Sequence, residues 1–182
     1  MRFIIRKLKR LHFAIRLHFA SPYETPGVYQ KFYGVKMGNN IRFTGRINFG
    51  TEPFLVELGN DVTLAEGVTF HTHDGGVWVF RKSHPGINIY APIKVGNNVF
   101  IGAYTNILPG VSIGDNVVVG ACSVVTKDLP PNGVYAGVPA RYIRSLDDYK
   151  RKSLEKAIFL TGKGAFKQEI LRGIANLKKK QE

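Results

Sequence analysis

Residues 93–144 read IKVGNNVFIGAYTNILPGVSIGDNVVVGACSVVTKDLPPNGVYAGVPARYIR, and the spacing of their apolar side chains decides the fold. Val95, Ile101, Ile107, Ile113, Val119 and Val125 are all β-branched and recur at every sixth position. Four positions after each come Val99, Thr105, Val111, Val117, Ser123 and Leu129, all small or aliphatic. A helix repeats near 3.6 residues and a half-buried strand every two, so six fits neither as a single element. It fits a coil of three short strands with a turn at each corner and one inward apolar side chain per face. Gly96, Gly102, Gly114 and Gly120 directly follow four of the inward residues. The expected reason is a tight corner with positive φ, which is cheap only without a Cβ. Stacked turns then bury a continuous aliphatic column that no single turn could stabilise alone.

The same beat extends toward the N-terminus. Met37, Phe43 and Phe49 are six apart, and so are Leu58, Leu64 and Phe70. The nine-residue step from Phe49 to Leu58 implies a three-residue insertion or register reset around Glu52-Pro53. Between Phe70 and Ile93 the period fails, which marks a long loop. Loops beyond about 12–15 residues inside a compact domain are usually functional or disordered. This one holds His71, His73, Asp74, Trp78, Arg81 and His84, so it is the first place to look for chemistry.

Composition narrows the class. The chain has 182 residues, 44% of them hydrophobic, enough for one domain with a sizeable core and too many for a disordered chain. A single cysteine, Cys122, excludes an intrachain disulfide framework and an all-thiolate metal site. No apolar run reaches the roughly 18 residues of a membrane-spanning helix. The net charge of +13 is almost wholly terminal. Residues 1–36 hold eight Lys/Arg against Glu24 alone, and residues 145–182 hold ten against five acids. Residues 37–144 balance eight against seven. A nucleic-acid binder carries its basic stripe on the folded body, so nucleic acid is not an expected partner. Three segments follow: a basic helix and connector at 1–36, a coil domain at 37–144 interrupted by the loop 71–92, and a helical extension at 145–182.

The ILPGVSIGDN, VVTKDLPP and AGVPAR pieces of the coil resemble the hexapeptide-repeat acyltransferases, especially the O-acetyltransferases of sugars and surface polysaccharides. FGTEPFLVELGNDV and FHTHDGGVWVFR, within 49–81, carry a weaker match. The resemblance implies a mainly β fold, a left-handed parallel β-helix of hexapeptide repeats, here with an N-terminal helix and C-terminal helices. It also implies acetyl-CoA as donor, a homotrimer, active sites in clefts between subunits, and a sugar or glycan acceptor of surface-polysaccharide synthesis. An N-acetyltransferase of amino sugars and a non-catalytic β-helical scaffold are the alternatives. A γ-class carbonic anhydrase shares the fold but needs three converging histidines, and residues 93–129 contain none. No metal is expected.

Moving an acetyl group from a thioester to a hydroxyl needs a base for the hydroxyl proton, a donor for the oxyanion, and alignment of both substrates. Histidine is the natural base because imidazole titrates near neutrality, and oriented backbone N–H groups can serve the oxyanion. His73, in Thr72-His73-Asp74-Gly75-Gly76, matches a similar Thr-His-Asp-Gly string that carries the base in the family. His71 is the runner-up, and His84, before a proline, fits by spacing less well. Asp74 is a candidate to orient the imidazole, although neighbours in an extended chain point oppositely. Glu52 and Trp78 are candidates for the acceptor pocket, Trp78 by stacking on a sugar face. The resemblance places CoA beside Ala103, Ala121, Thr126 and Lys127, with Arg141 and Arg144 near its phosphates. Small side chains leave a groove for the pantetheine arm, and Arg makes bidentate phosphate contacts. Ordinary coil packing is the competing account of Ala121 and Thr126.

The ends read as helices. Met1–Ala20 places Phe3, Ile4, Leu8, Leu11, Ile15 and Phe19 on an apolar stripe, with Arg and Lys around the rest. The charges break any secretory signal, so the expected location is cytoplasmic. Two accounts of the helix stand: packing on its own trimer, or peripheral docking of residues 1–20 on the inner face of an anionic membrane. Ser21-Pro22 ends it, and Tyr23, Tyr29, Phe32 and Tyr33 form an aromatic connection, helical from Pro26. After a cap at Ser145–Asp148, two apolar stripes separated by Gly162-Lys163-Gly164 suggest helices that cover the open edge of the coil.

Overall fold

The computed structural model describes residues 2–162 and 165–179, with Met1, the Lys163-Gly164 break and residues 180–182 lying outside them. The chain divides into two compact units, one running to Leu146 and the other from Asp147. The first begins with helices α1 (Arg2–Phe19) and α2 (Thr25–Tyr33). Short strands follow: β1 (Lys36–Met37), β2 (Arg42–Phe43), β3 (Val56–Leu58), β4 (Val62–Leu64), β5 (Thr69–Phe70) and β6 (Ile93–Val95). Next come β7 (Val99–Ile101), β8 (Asn106–Ile107), β9 (Ser112–Ile113), β10 (Val117–Val119), β11 (Val124–Val125), β12 (Gly133–Ala136) and β13 (Arg141–Ser145).

These strands form three sheets that the chain visits in rotation. The first stacks β1, β3, β6 and β9, the second β2, β4, β7, β10 and β12, the third β5, β8 and β11, all in parallel. Strand β13 runs antiparallel and closes the second sheet against β12. The result is a three-sided parallel coil. Lys94 pairs with Ser112, Val99 with Val117 and Asn106 with Val124, so three hexapeptides make one full turn.

Inside the coil the six-residue beat is a column of buried side chains. Val95, Ile101, Ile107, Ile113, Val119 and Val125 are all at most 3% exposed, and Val99, Val111, Val117 and Leu129 are buried with them. Each is worth about 1.5–3 kcal/mol when fully removed from water. Thr105 and Ser123 are buried too, and both hydroxyls donate to the Gly120 carbonyl, so neither is stranded. At the N-terminal end the column becomes aromatic: Phe49 stacks on Phe70, and Tyr29 of α2 packs edge-on against Phe43 and Phe49. Tyr29 thereby carries α2 onto the open end of the coil. Met37 is only partly buried at this margin.

The corner glycines have a different cause from the expected one. None of Gly96, Gly102, Gly114 and Gly120 has positive φ. A Cβ on Gly102 would lie 2.5 Å from the Ala121 backbone nitrogen, and one on Gly114 2.8 Å from that of Pro131. Glycine is required there by the close stacking of successive turns. Left-handed backbone falls instead at Asn40, Asp61, Asn98, Asn116 and Asn132 between the first and second sheets, residue types that tolerate this conformation, and at Tyr104 and Cys122 between the second and third. Asn98 donates from its side-chain amide to Asn116, and Asn116 likewise to Asn132, so their side chains form a ladder along one edge.

The N-terminal helix docks with a face other than its longest apolar stripe. Phe13 and Leu17 pack against the core, with Phe13 edge-on to Tyr29, Phe32 and Tyr33. Leu8, Leu11, Ile15 and Phe19 remain outside, and the side chains of Phe3 and Ile4 lie beyond the described ones. The second unit contains α3 (Leu146–Leu154), which begins at the last residue of the first, and α4 (Phe166–Lys179). Glu169 of α4 accepts from the Thr161 hydroxyl and so ties down the connection between the two helices. Among the described residues no helix is long and apolar enough to cross a membrane.

Close stacking has a direct consequence for stability. Gly102→Ala forces a methyl against backbone and should cost about 1–3 kcal/mol, read as a lower denaturation midpoint. Gly27→Ala, where an added methyl meets nothing within 4 Å, should leave the midpoint unchanged or raise it. Equal midpoints for the two variants would refute the steric account.

Candidate active site

The departures from the regular three-hexapeptide turn fall at one corner, where the chain passes from the third sheet to the first. Asn48 pairs with Thr69 where the regular partner would be Glu66, because of three extra residues around Glu52. Thr69 pairs with Asn106 where the regular partner would be Ile87, because of the long insertion after Phe70. Ile113 pairs with Leu129 where the regular partner would be Pro131, because the corner at Thr126-Lys127-Asp128 is shortened by two. The residues freed by the first two breaks meet in space.

The first break folds as a short 3-10 helix, Pro53–Leu55, and leaves Glu52 half-buried at 17% side-chain exposure. The second is stemmed by a small antiparallel ladder. His73 bridges to Tyr90, the Asp74 N–H donates to the Ile89 carbonyl, and the Ala91 N–H donates to that of Thr72. Its tip begins with a 3-10 helix, Gly75–Phe80. His73 therefore projects from the stem and is fixed by backbone pairing on both sides.

Its partner is Glu52. Nδ1 of His73 lies 2.9 Å from Glu52 Oε2, and a carboxylate can only accept, so Nδ1 carries the proton and Nε2 is left as the basic nitrogen. The same Oε2 accepts from the fully buried Thr72 hydroxyl at 2.8 Å, and Oε1 accepts from the Thr51 hydroxyl at 2.6 Å. These bonds, that of Thr51 foremost, hold the Glu52 carboxyl below the usual glutamate range against the opposing effect of burial. Tyr90 stands edge-on to the imidazole with ring centres 6.1 Å apart. The expectation that Asp74 orients His73 is corrected. Asp74 Oδ1 accepts from the Gly76 N–H at 2.8 Å and caps the 3-10 helix, so it is committed to the local turn.

A pocket of about 240 Å³ opens here, lined by Glu52, His73, Asp74, Trp78, Arg81 and Tyr90 among others. It lies just under the roughly 300 Å³ lower end for small-molecule sites, so it fits the reacting end of a ligand. Trp78 is largely exposed and carries the Arg81 guanidinium over its ring at 4.3 Å, while Asn88 accepts from that guanidinium. Glu52 and Trp78 line this pocket together with His73. His71 does not: it is exposed on the coil wall, with Nε2 2.9 Å from Asn106 Oδ1. His84 sits at the insertion tip beside Ser83. Thr51, Thr72 and Tyr90 were not legible as site residues; only the register breaks flanking them signalled the place. Among the described residues no cluster of His, Cys, Asp or Glu could hold a metal.

Of the remaining candidates, four border the third sheet and two lie on β13 of the second. Thr126 and Lys127 are exposed at the corner of the insertion, two strands along the third sheet, or roughly 10 Å away. Ala103 and Ala121 occupy equivalent corners at the sheet's other edge, one turn apart, where the Cys122 N–H donates to the Ala103 carbonyl. Arg141 and Arg144 lie on β13, and Arg141 donates to the Ala140 carbonyl.

A parallel coil of hexapeptides with an imidazole–carboxylate pair at one corner has the build of a group-transfer enzyme. Residues 92–127 match the family model for the bacterial transferase hexapeptide (six repeats). Protein CapG of Staphylococcus aureus is 56% identical over 126 residues, covering 68% of this chain and 73% of that protein. Galactoside O-acetyltransferase of Escherichia coli K12 is 39% identical over 126 residues, covering 69% of this chain and 61% of that enzyme. A solved galactoside acetyltransferase in complex with coenzyme A superposes with a TM-score of 0.56 at 32% identity, covering 80% of this chain and 84% of that one. The chain belongs to the hexapeptide-repeat transferases and stands among their acetyltransferases.

The Glu52 cluster also governs a pH response. A carboxyl held below its ordinary value stabilises the fold fully above the unfolded glutamate pKa, about 4.3, and loses that contribution as pH falls through the folded value. The gap in urea midpoint between the parent and Glu52→Gln should therefore be widest near neutrality and close below about pH 4. A gap that stays constant from neutrality into that acid range would refute the assignment.

Proposed function

We propose that the protein transfers the acetyl group of acetyl-CoA to a hydroxyl of a sugar, in the synthesis of a surface polysaccharide, with His73 as general base. The observation that carries this reading is the His73–Glu52 pair facing a pocket that also presents Trp78. The acceptor hydroxyl gives its proton to Nε2 of His73 as its oxygen attacks the thioester carbonyl carbon. The resulting imidazolium is stabilised through Nδ1–H by Glu52, a positioning residue. Collapse of the tetrahedral oxyanion expels the CoA thiolate, which takes the proton back. No protein nucleophile is needed. Trp78 offers a flat apolar face for a sugar ring.

The CoA arm runs over the third sheet between the Ala103–Ala121 edge and the Thr126–Lys127 corner, with Arg141 and Arg144 toward its phosphates. That the galactoside relative is solved with coenzyme A supports this donor. The coil is left-handed and the working unit a homotrimer, with sites completed between subunits. Exposed Phe54, Phe100 and Tyr104 on the coil are apolar side chains that such packing would cover.

His73→Ala should lower kcat by about 100-fold or more while leaving acetyl-CoA affinity near the parental value. His71→Ala should cost far less, because that ring is bound to the coil wall outside the pocket. The reverse ranking in a CoA-release assay, or no effect of either change, would overturn the assignment.

The donor site has its own test. If Arg141 or Arg144 meets the ribose phosphate, acetyl-dephospho-CoA should bind at least about tenfold more weakly, the worth of one charge-assisted bond. Indistinguishable affinities by calorimetry would remove both arginines from that role.

A further inference from the structure

Helix α1 is held to the body by Phe13 and Leu17, yet its most regular apolar stripe faces away. Leu8, Leu11, Ile15 and Phe19 follow one another at helical spacing and are 60%, 58%, 50% and 80% exposed. By the same spacing Lys7 and His18 flank the stripe on one side and His12 and Arg16 on the other. The helix contains six Lys/Arg and no acid, and Glu24 is the sole acid before residue 37. We infer that this face is a docking surface for an anionic lipid bilayer, on which α1 lies in the plane of the interface.

Charge decides between occupants. A second copy of the chain would bring an equally basic, acid-free helix alongside, or the coil body, whose charges nearly balance. Neither answers the Lys7 and Arg16 cations that flank the stripe. A nucleic acid would answer them but has no use for four adjacent exposed apolar side chains. An anionic membrane answers both, with acyl chains for the stripe and headgroups for its flanks. The length fits as well: 18 residues make a helix about 27 Å long that buries one side without spanning. Phe13 packs on Tyr29 of α2, which itself packs on Phe43 and Phe49 at the coil's aromatic end, and this fixes the helix as a platform rather than leaving it a tail.

The test is co-sedimentation of the full chain with vesicles of phosphatidylcholine alone or with about one-third phosphatidylglycerol, alongside a mass measurement by light scattering. Binding to the anionic vesicles, at least about tenfold weaker on the neutral ones and falling as salt rises from roughly 0.1 M to 0.5 M, is expected. The double variant Leu11→Gln/Ile15→Gln keeps every charge and should lose about tenfold or more in vesicle affinity at unchanged mass. Absence of anionic-vesicle binding by the parent overturns the inference. So does full retention by the variant, which would make the attraction charge alone. A lower molecular mass for the variant would show that a second copy covers the face, and would overturn it too.

Discussion

Each turn of this coil must lie about 4.8 Å from the next, because backbone hydrogen bonds join them on all three faces, and everything else accommodates that spacing. At the corners it leaves no room for a Cβ between turns, which is why Gly102 faces the Ala121 backbone nitrogen and Gly114 that of Pro131. On the faces it aligns every inward side chain with its counterpart one turn away, so Val and Ile stack into a continuous column. At the corner between the first and second sheets the chain turns left-handed at Asn98, Asn116 and Asn132, whose side chains bond to one another from turn to turn.

Such regularity is poor material for a pocket, since side chains repeated at fixed register form walls and columns. Convergence needs residues released from the register. Here three extra residues in one turn and the long insertion in the next supply them, and both open at the same corner. Glu52 comes from the first, His73 from the second, and the buried Thr72 ties them. The carboxylate is thus held by groups on two successive turns, and the imidazole is aimed by backbone pairing as well as by its partner.

Local chemistry was legible in the sequence and relations between turns were not. The six-residue beat from Val95 to Val125 shows itself along the chain, and so do its failures around Glu52 and after Phe70. The glycines at the corners were visible, but their cause lies in the backbone of the adjacent turn, so torsion looked responsible where proximity is. Asp74 looked like the partner of His73 because it is adjacent in sequence. Glu52 is adjacent one turn away, and only the pairing of Asn48 with Thr69 brings it there. On α1 the apolar stripe was plain, yet docking went to Phe13 and Leu17, because Tyr29, Phe32 and Tyr33 of α2 offer rings at that side. Periodicity finds an amphipathic face without saying which side has a neighbour.

The amide ladder at Asn98, Asn116 and Asn132 has a consequence for descent. It stands at a corner that carries no insertion, so a tandem duplication of three hexapeptides would copy column, glycine and asparagine together and rejoin in frame. Length can therefore be inherited as a whole unit. The corner of the insertions varies by loop exchange, free of the ladder. A lineage built this way has two separate heritable axes, one setting how tall the scaffold grows and the other the shape of the pocket at that corner.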